Sequence, residues 1–415
     1  MADNFEQRHK SRLFILQTKW VFEKMKIISK IVSLLMTAVI VVGVLTSCSK
    51  NSLRPHDALP AIKPLFMHVG YMNNTTLSKY MEYTDEDLQV LKDIGVTEVC
   101  IAFGSYPASY IPEGETEPRP LVTDEDIDGI TAEMVGASSQ TDLDSLKALY
   151  KENLGGLDDG LTLNKYAEFA VELLRRLVAV NPDIEIWYAF PDIRIATLAE
   201  LYIEPFLQYY EKLKSDTGTE IWEKNVKGMY WIKEGVSTKT YELFNTNNLE
   251  DFDNATVKAM KACCDVVHGD GKLTFWCPYY RPTVEIGLPI GFIANQTDIF
   301  DYVILQPNHF FADGLENNIE IIKQSTLQNT VLNAQSIAYG GEKKSSTMIG
   351  PEFEMDSKDF DGSRGAHNIE KYQDYVAAYG DMIGKYPVAI YCGERRSLMD
   401  DRSISFLKDL LNNNG

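Results

Sequence analysis

Basic charge is scarce in this chain of 415 residues, where 40 Lys and Arg face 60 Asp and Glu for a net charge of −20. A surface with that balance does not neutralise a phosphate backbone, which excludes nucleic-acid binding as a function class. Cysteine is sparse too, and none of the six forms a Cys-x-x-Cys pair. Zinc ribbons and thioredoxin-like redox sites are thereby excluded. The sequence has no Gly-x-Ser-x-Gly elbow to begin a nucleophile–His–Asp triad. It has no glycine-rich phosphate turn after its first strand candidate, which runs into Gly70-Tyr71-Met72-Asn73 instead. Long apolar runs are missing except at residues 27–45. What is present is a globular balance of 45% hydrophobic and 24% charged residues, with 22 Tyr that can line a site.

The apolar run follows Lys24 and Lys26 and ends at Leu45-Thr46-Ser47-Cys48. Basic residues, an apolar stretch and small residues at a cleavage point make an export signal. Leu-Thr-Ser-Cys resembles the lipobox of bacterial lipoproteins, which implies acylation of Cys48 and removal of residues 1–47. Met25 reads as the natural start, with residues 1–24 an upstream extension; the alternative is a single membrane-spanning helix. Residues 48–63 form a polar tether, and Ser49 is the residue type that sends such proteins to the outer membrane, facing the periplasm or the cell surface. The membrane, through the lipid, is thus one expected partner. Of the remaining cysteines, Cys264 shares a helical stripe with Val257, Met260 and Val267 and is expected to be a buried thiol.

Beyond the tether, short β-rich runs alternate with longer helical patterns. Strand candidates are residues 65–71, 98–103, 185–190, 228–232, 273–277, 302–306, 347–349 and 388–391. The clearest helix carries Tyr166, Phe169, Ala170, Leu173, Leu174, Leu177 and Val178 on one face. Eight strand–helix units predict an α/β fold, a (β/α)8 barrel over residues 64–415, with an open doubly wound sheet as the alternative. A long insertion, about residues 105–160, separates the second strand from its helix. Within it, Asp124-Glu125-Asp126-Ile127-Asp128-Gly129 begins like an EF-hand loop, but Val135 stands where a bidentate Glu belongs. Thr123 capping an acidic first turn accounts for the same residues.

In such a barrel the chemistry lies at the C-terminal ends of the strands. The fourth strand ends in Lys233 and Glu234, and the seventh in Pro351, Glu352, Phe353 and Glu354. These strands lie across the ring from one another, and two carboxyl groups flanking a sugar are what glycoside hydrolysis requires. Glu234 is the candidate acid/base and Glu352 the candidate ionised nucleophile, with Glu354 the alternative. Pro351 is expected to end strand pairing, leaving Glu352 and Glu354 pointing the same way. Tyr188, Trp231, Trp276, Tyr279, Tyr280 and Phe310 are candidates to stack on sugar rings; Asp192, Gln306, Asn308 and His68 are polar binding candidates. Lys233 or Arg281 offers a pairing charge to Glu234. His68 and His309 lack a third ligand at a metal-binding spacing, so neither a metal nor another cofactor is expected.

Three motifs then follow in order: Gly228-Met229-Tyr230-Trp231-Ile232-Lys233-Glu234, Phe275-Trp276-Cys277-Pro278-Tyr279-Tyr280, and Gln306-Pro307-Asn308-His309-Phe310-Phe311. With Gly350-Pro351-Glu352-Phe353-Glu354, they resemble a family of secreted bacterial proteins catalogued as domain of unknown function 4855. The resemblance covers most of residues 64–412 and implies a barrel similar to those of glycoside hydrolases, without supplying an activity. The chain also resembles the largest clan of barrel glycosidases in its carboxylate layout, but Lys233 stands where that clan has Asn. The residues thus point to an exported glycosidase acting on a carbohydrate. A carbohydrate-binding or scaffold barrel without hydrolysis is the rival, and a metal-dependent deacetylase a third class.

Overall fold

In the computed structural model, residues 59–69, 82–104, 107–155, 158–192, 194–236, 254–360 and 365–412 are described. The expected export signal, Cys48, residues 48–58 of the tether, and Tyr71 lie outside the described residues.

The strands are β1 (Leu65–Val69), β2 (Glu98–Phe103), β3 (Pro107–Tyr110), β4 (Arg119–Pro120), β5 (Asp158–Thr162), β6 (Glu185–Phe190), β7 (Val226–Trp231), β8 (Leu273–Trp276), β9 (Tyr302–Leu305), β10 (Met348–Glu354) and β11 (Ala389–Tyr391). Eight close a barrel in the order β1-β2-β6-β7-β8-β9-β10-β11, with β11 returning to β1. Every pair in that ring is parallel. With the helices between them, these strands make the protein a (β/α)8 barrel. The long insertion after β2 holds a three-stranded sheet in the order β4-β3-β5, two short helices (Asp124–Asp128 and Ala132–Val135) and a longer one (Gln140–Gly155). Its acidic hexapeptide is the start of helix Asp124–Asp128, where Thr123 caps the Asp126 N–H and Asp126 caps Thr123 in return.

Alternation along each strand separates two layers. Phe66, Cys100, Trp187, Tyr230, Phe275, Cys277, Tyr302, Ile304 and Ala389 fill the inside of the barrel. Met67, Ile101, Tyr188, Met229, Trp231, Trp276, Val303 and Ile390 face outward and belong to the core beneath the helices. The helix Leu163–Val180 buries Tyr166, Phe169, Ala170, Leu173, Leu174 and Leu177, the face its periodicity predicts. Gly228 permits close approach of β7 to β8, since a Cβ there would sit 1.7 Å from the Leu273 carbonyl oxygen. Among the described residues all five cysteines, Cys264 included, are buried free thiols.

Two expectations need correction. Pairing does not end at Pro351: β10 pairs with β9 from Met348 to Pro351, then with β11 from Glu352 to Glu354. The proline stands where one neighbour gives way to the other, and the strand continues through it. The tether also ends earlier than residue 63. Ile62 is buried inside the barrel floor, its carbonyl accepts from the Val388 N–H at 2.8 Å, and the Pro60 carbonyl accepts from the Tyr302 hydroxyl at 2.9 Å. An apolar residue inside the ring's N-terminal end gains more by burial than by remaining in a solvated spacer.

Candidate active site

Glu352 and Glu354 occupy inward positions at the C-terminal end of β10, two residues apart on one face. Each is only 3% exposed. Burial pushes both carboxyls up, and each is close enough to the other and to Glu234 to feel its charge. Glu352 rises well above the usual carboxylate range; the Glu354 charge adds to the burial effect, and a hydrogen bond from the Cys277 thiol opposes it. Glu354 rises to about 7, held lower by three donors to its charge. Oε2 accepts from the Tyr375 hydroxyl at 2.5 Å, and Oε1 from the Asn308 N–H at 3.0 Å. The third donor is the Phe310 N–H, which also gives to the Tyr375 oxygen at 2.9 Å. Asn308 takes a left-handed backbone, φ 52°, at this turn, a conformation Asn tolerates better than most residues.

Three donors stabilise a charge on Glu354, and Glu352 has a single weak one. The pair therefore shares a proton that rests on Glu352 when the charge sits on Glu354. Of the two, Glu354 is the carboxyl better placed to hold a negative charge, because the donors converge there.

Glu234 follows β7 and is exposed at the mouth. Around the ring β7 and β10 are three strands apart, through β8 and β9, so their ends flank one opening. Gln306, on the inward register after β9, donates to Glu234 Oε1 at 3.2 Å and to the Cys277 carbonyl at 3.0 Å. The Tyr279 N–H donates to the Glu234 carbonyl at 3.1 Å, fixing its backbone. Desolvation within the mouth and the nearby charge of Asp192 raise the Glu234 carboxyl, while Gln306 and Lys233 oppose the rise. Lys233 lies 3.8 Å from Asp192, so its charge is divided between the two acids. Arg281 does not pair with Glu234 in this arrangement: its Nε donates to the Tyr279 hydroxyl at 2.5 Å.

The inner face thus collects Glu234, Glu352, Glu354, Gln306 and Asn308, with Asp192 and Tyr279 at the rim. His68 is half-buried on β1, its ring edge-on to Tyr391 at 5.3 Å. Burial pushes its imidazole down to about 4, keeping it neutral. Three expected stacking residues lie elsewhere. Tyr188 is fully buried on the outer layer, stacked on Trp222, and its hydroxyl pairs with Thr217 at 3.2 Å. Trp231 packs on Phe190 and Phe206 beneath a helix. Trp276 stacks on Phe300 and donates its indole N–H to the Lys233 carbonyl at 2.8 Å. None of these three faces a sugar; Trp276 braces the chain next to Glu234. Tyr280 and Phe310 are buried as well.

Cys277, Tyr375, Tyr391 and Phe311 are site residues that sequence reasoning did not nominate. Tyr375 belongs to the helix Gly365–Tyr379 and shares its buried face with Tyr372 and Tyr379. A stripe of that kind signals core packing and says nothing of the carboxylate it reaches. Among the described residues no group of three or more His, Cys, Asp or Glu side chains has a metal-binding arrangement.

These features define the class: a closed parallel barrel with three interacting carboxyl groups at its C-terminal mouth. No protein-family model matches the chain, and no curated protein does. Among solved structures it is similar to the Group IV chitinase of Ostrinia furnacalis in complex with allosamidin, at 11% identity and a TM-score of 0.27, over 60% of this chain and 51% of that one. It is also similar to AbfB, a family 51 α-L-arabinofuranosidase from Bifidobacterium longum, at 14% identity and a TM-score of 0.33, over 81% of this chain and 63% of that one. The match thus spans about half of the chitinase. The barrel assignment rests on the ring of paired strands itself.

Proposed function

We propose that this protein is a glycoside hydrolase that cleaves an oligo- or polysaccharide with Glu234 and the Glu352–Glu354 pair. The observation that supports this most is the gathering of three carboxyls at the functional end of a barrel, where burial raises the proton affinity of each. Glu234 is the solvent-reachable acid and gives its proton to the leaving glycosidic oxygen. As positive charge develops on the sugar, Glu352 passes its proton to Glu354, whose affinity near 7 lets it hold one. The freed Glu352 carboxylate then meets the anomeric carbon or activates water. Gln306 orients Glu234, and Tyr375 with Asn308 orients Glu354. Export, lipid attachment at Cys48 and residence at the outer membrane belong to the same proposal, as does kinship with the family catalogued as domain of unknown function 4855; the sequence motifs support both.

Glu234→Gln and Glu352→Gln should each abolish release of reducing sugar from a glycan that the wild type cleaves. Undiminished release from either variant removes that residue from the mechanism. The 3% exposure of Glu352 and of Glu354 favours a second reading, a barrel that binds carbohydrate without cutting it. It predicts no sugar release by the wild type and glycan affinity that survives both substitutions.

A further inference from the structure

We infer that Phe311 and Tyr391 form a stacking platform for a pyranose ring of a neutral oligosaccharide, directly above the Glu352–Glu354 pair; the inference rests on the carbohydrate reading of the mouth. Among the described residues Phe311 is the one strongly exposed aromatic side chain, at 42%. A ligand seated on this ring would recover the transfer free energy that the exposed ring forgoes in water. Phe311 lies on the loop after β9, and its ring meets Tyr391 of β11 at 5.9 Å and 74°. Since β10 runs between β9 and β11, that contact joins the two strands that flank the end of β10, where the two carboxyls sit. Tyr391 is the register partner of Glu354, and its hydroxyl feels the charge of Glu352.

The geometry also leaves the ring available. Phe310 meets Phe311 at 5.1 Å and 77°, so both ring contacts hold it at steep angles and neither stacks flat upon it. A pyranose presents axial C–H groups on one face, which the electron-rich face of an aromatic ring attracts. Seated on Phe311, such a ring would lie next to Glu352. Charge narrows the class: Glu234, Asp192 and the buried pair repel an anionic sugar, while Lys233 is already shared with Asp192 and Arg281 is turned to Tyr279. Neutral pyranose chains remain.

The test is calorimetric titration of the full protein with the hexasaccharides of cellulose, xylan, mannan and chitin, and with hexagalacturonate as the anionic probe. Wild type, Phe311→Ala and Phe311→Trp are compared, each also carrying Glu234→Gln so that binding is read without cleavage. At least one neutral probe should bind, with affinity falling about tenfold or more in Phe311→Ala and staying within about threefold in Phe311→Trp. Equal affinity in Phe311→Ala, preference for hexagalacturonate, or no binding of any neutral probe overturns the inference. Because the side chain is exposed, the alanine variant should melt with the wild type, which separates lost binding from lost folding. If the wild type releases no sugar but Phe311→Ala still weakens binding, hydrolysis falls and the platform stands. Cleavage that survives with unchanged affinity in Phe311→Ala removes the platform alone.

Discussion

Replacing Tyr375 by Phe deletes one hydroxyl from the floor of the mouth, and the damage should depend on pH. That hydroxyl donates to Glu354 Oε2 at 2.5 Å and accepts from the Phe310 N–H at 2.9 Å. A hydrogen bond to a charged group contributes about 1.5–3 kcal/mol, against about 1 kcal/mol for a neutral one. The Glu354 carboxyl is raised from 4.5 to about 7 in the folded protein, chiefly by burial. Near pH 5 it is therefore neutral in the fold, and the variant loses a neutral bond plus the acceptor of Phe310. Near pH 8.5 it is ionised, and the variant loses a charge-assisted bond as well. The extra loss at the higher pH is about 1–2 kcal/mol, or about one further unit of upward shift at about 1.36 kcal/mol per unit. The sign follows from linkage: a carboxyl whose folded value is raised contributes fully below its unfolded value and loses that contribution as pH rises through the folded value. Tyr375→Phe carries that decline further into alkali. Urea unfolding of both proteins at the two pH values measures it. An equal loss at both, or a greater one near pH 5, would refute the assignment of a titrating Glu354 held by Tyr375.

Two further outcomes are expected. At the opposite end of the barrel, Glu98 accepts from the Lys63 N–H at 2.6 Å and the Trp187 indole at 2.7 Å, and burial raises it from 4.5 to about 7. It should withdraw about 3 kcal/mol of stability as pH climbs from below 4.5 to above 7; Glu98→Gln should flatten that part of the unfolding profile, and an unchanged slope rejects the shift. For the lipid anchor, Cys48→Ala should end incorporation of labelled fatty acid in a bacterial host, and continued labelling rules out acylation at Cys48.

The eight barrel strands were legible because each is a short β-rich run between helical patterns, and the inventory of mouth carboxylates followed from reading strand ends in order. Strand phase was not legible in the same way. Parallel barrel strands are buried on both faces, so Trp187, Tyr188, Tyr230 and Trp231 all read as apolar, and alternation of hydrophobicity is lost. A subtler signal was available. Trp231 and Glu234 stand an odd number of positions apart, so a strand continuing to Glu234 turns them to opposite faces. Since Glu234 points into the mouth, Trp231 had to point out, and the same parity sends Trp276 outward once Cys277 and Tyr279 are inward. Phe311 and Tyr375 were beyond such arguments, because a loop and a helix carry no register that says which strand end their side chains reach.

Polar residues on the inward phase therefore separate by what holds them. Glu98, at the barrel floor, is met by two N–H donors, the Lys63 backbone from the segment that closes that end and the Trp187 indole from β6, an arrangement that plugs the ring. Glu352 and Glu354 lie next to each other on one face, where burial raises the proton affinity of both and the charge of Glu354 raises that of Glu352 further. Packing alone gives no reason to place two carboxyls there, since one Glu and one apolar residue would fill the same space without like-charge repulsion. The donors converge on Glu354 and oppose its rise more than anything opposes that of Glu352, so the pair is asymmetric by construction. Perturbed, unequal acids at the functional end of a barrel are what proton-transfer chemistry needs and what stability by itself would remove.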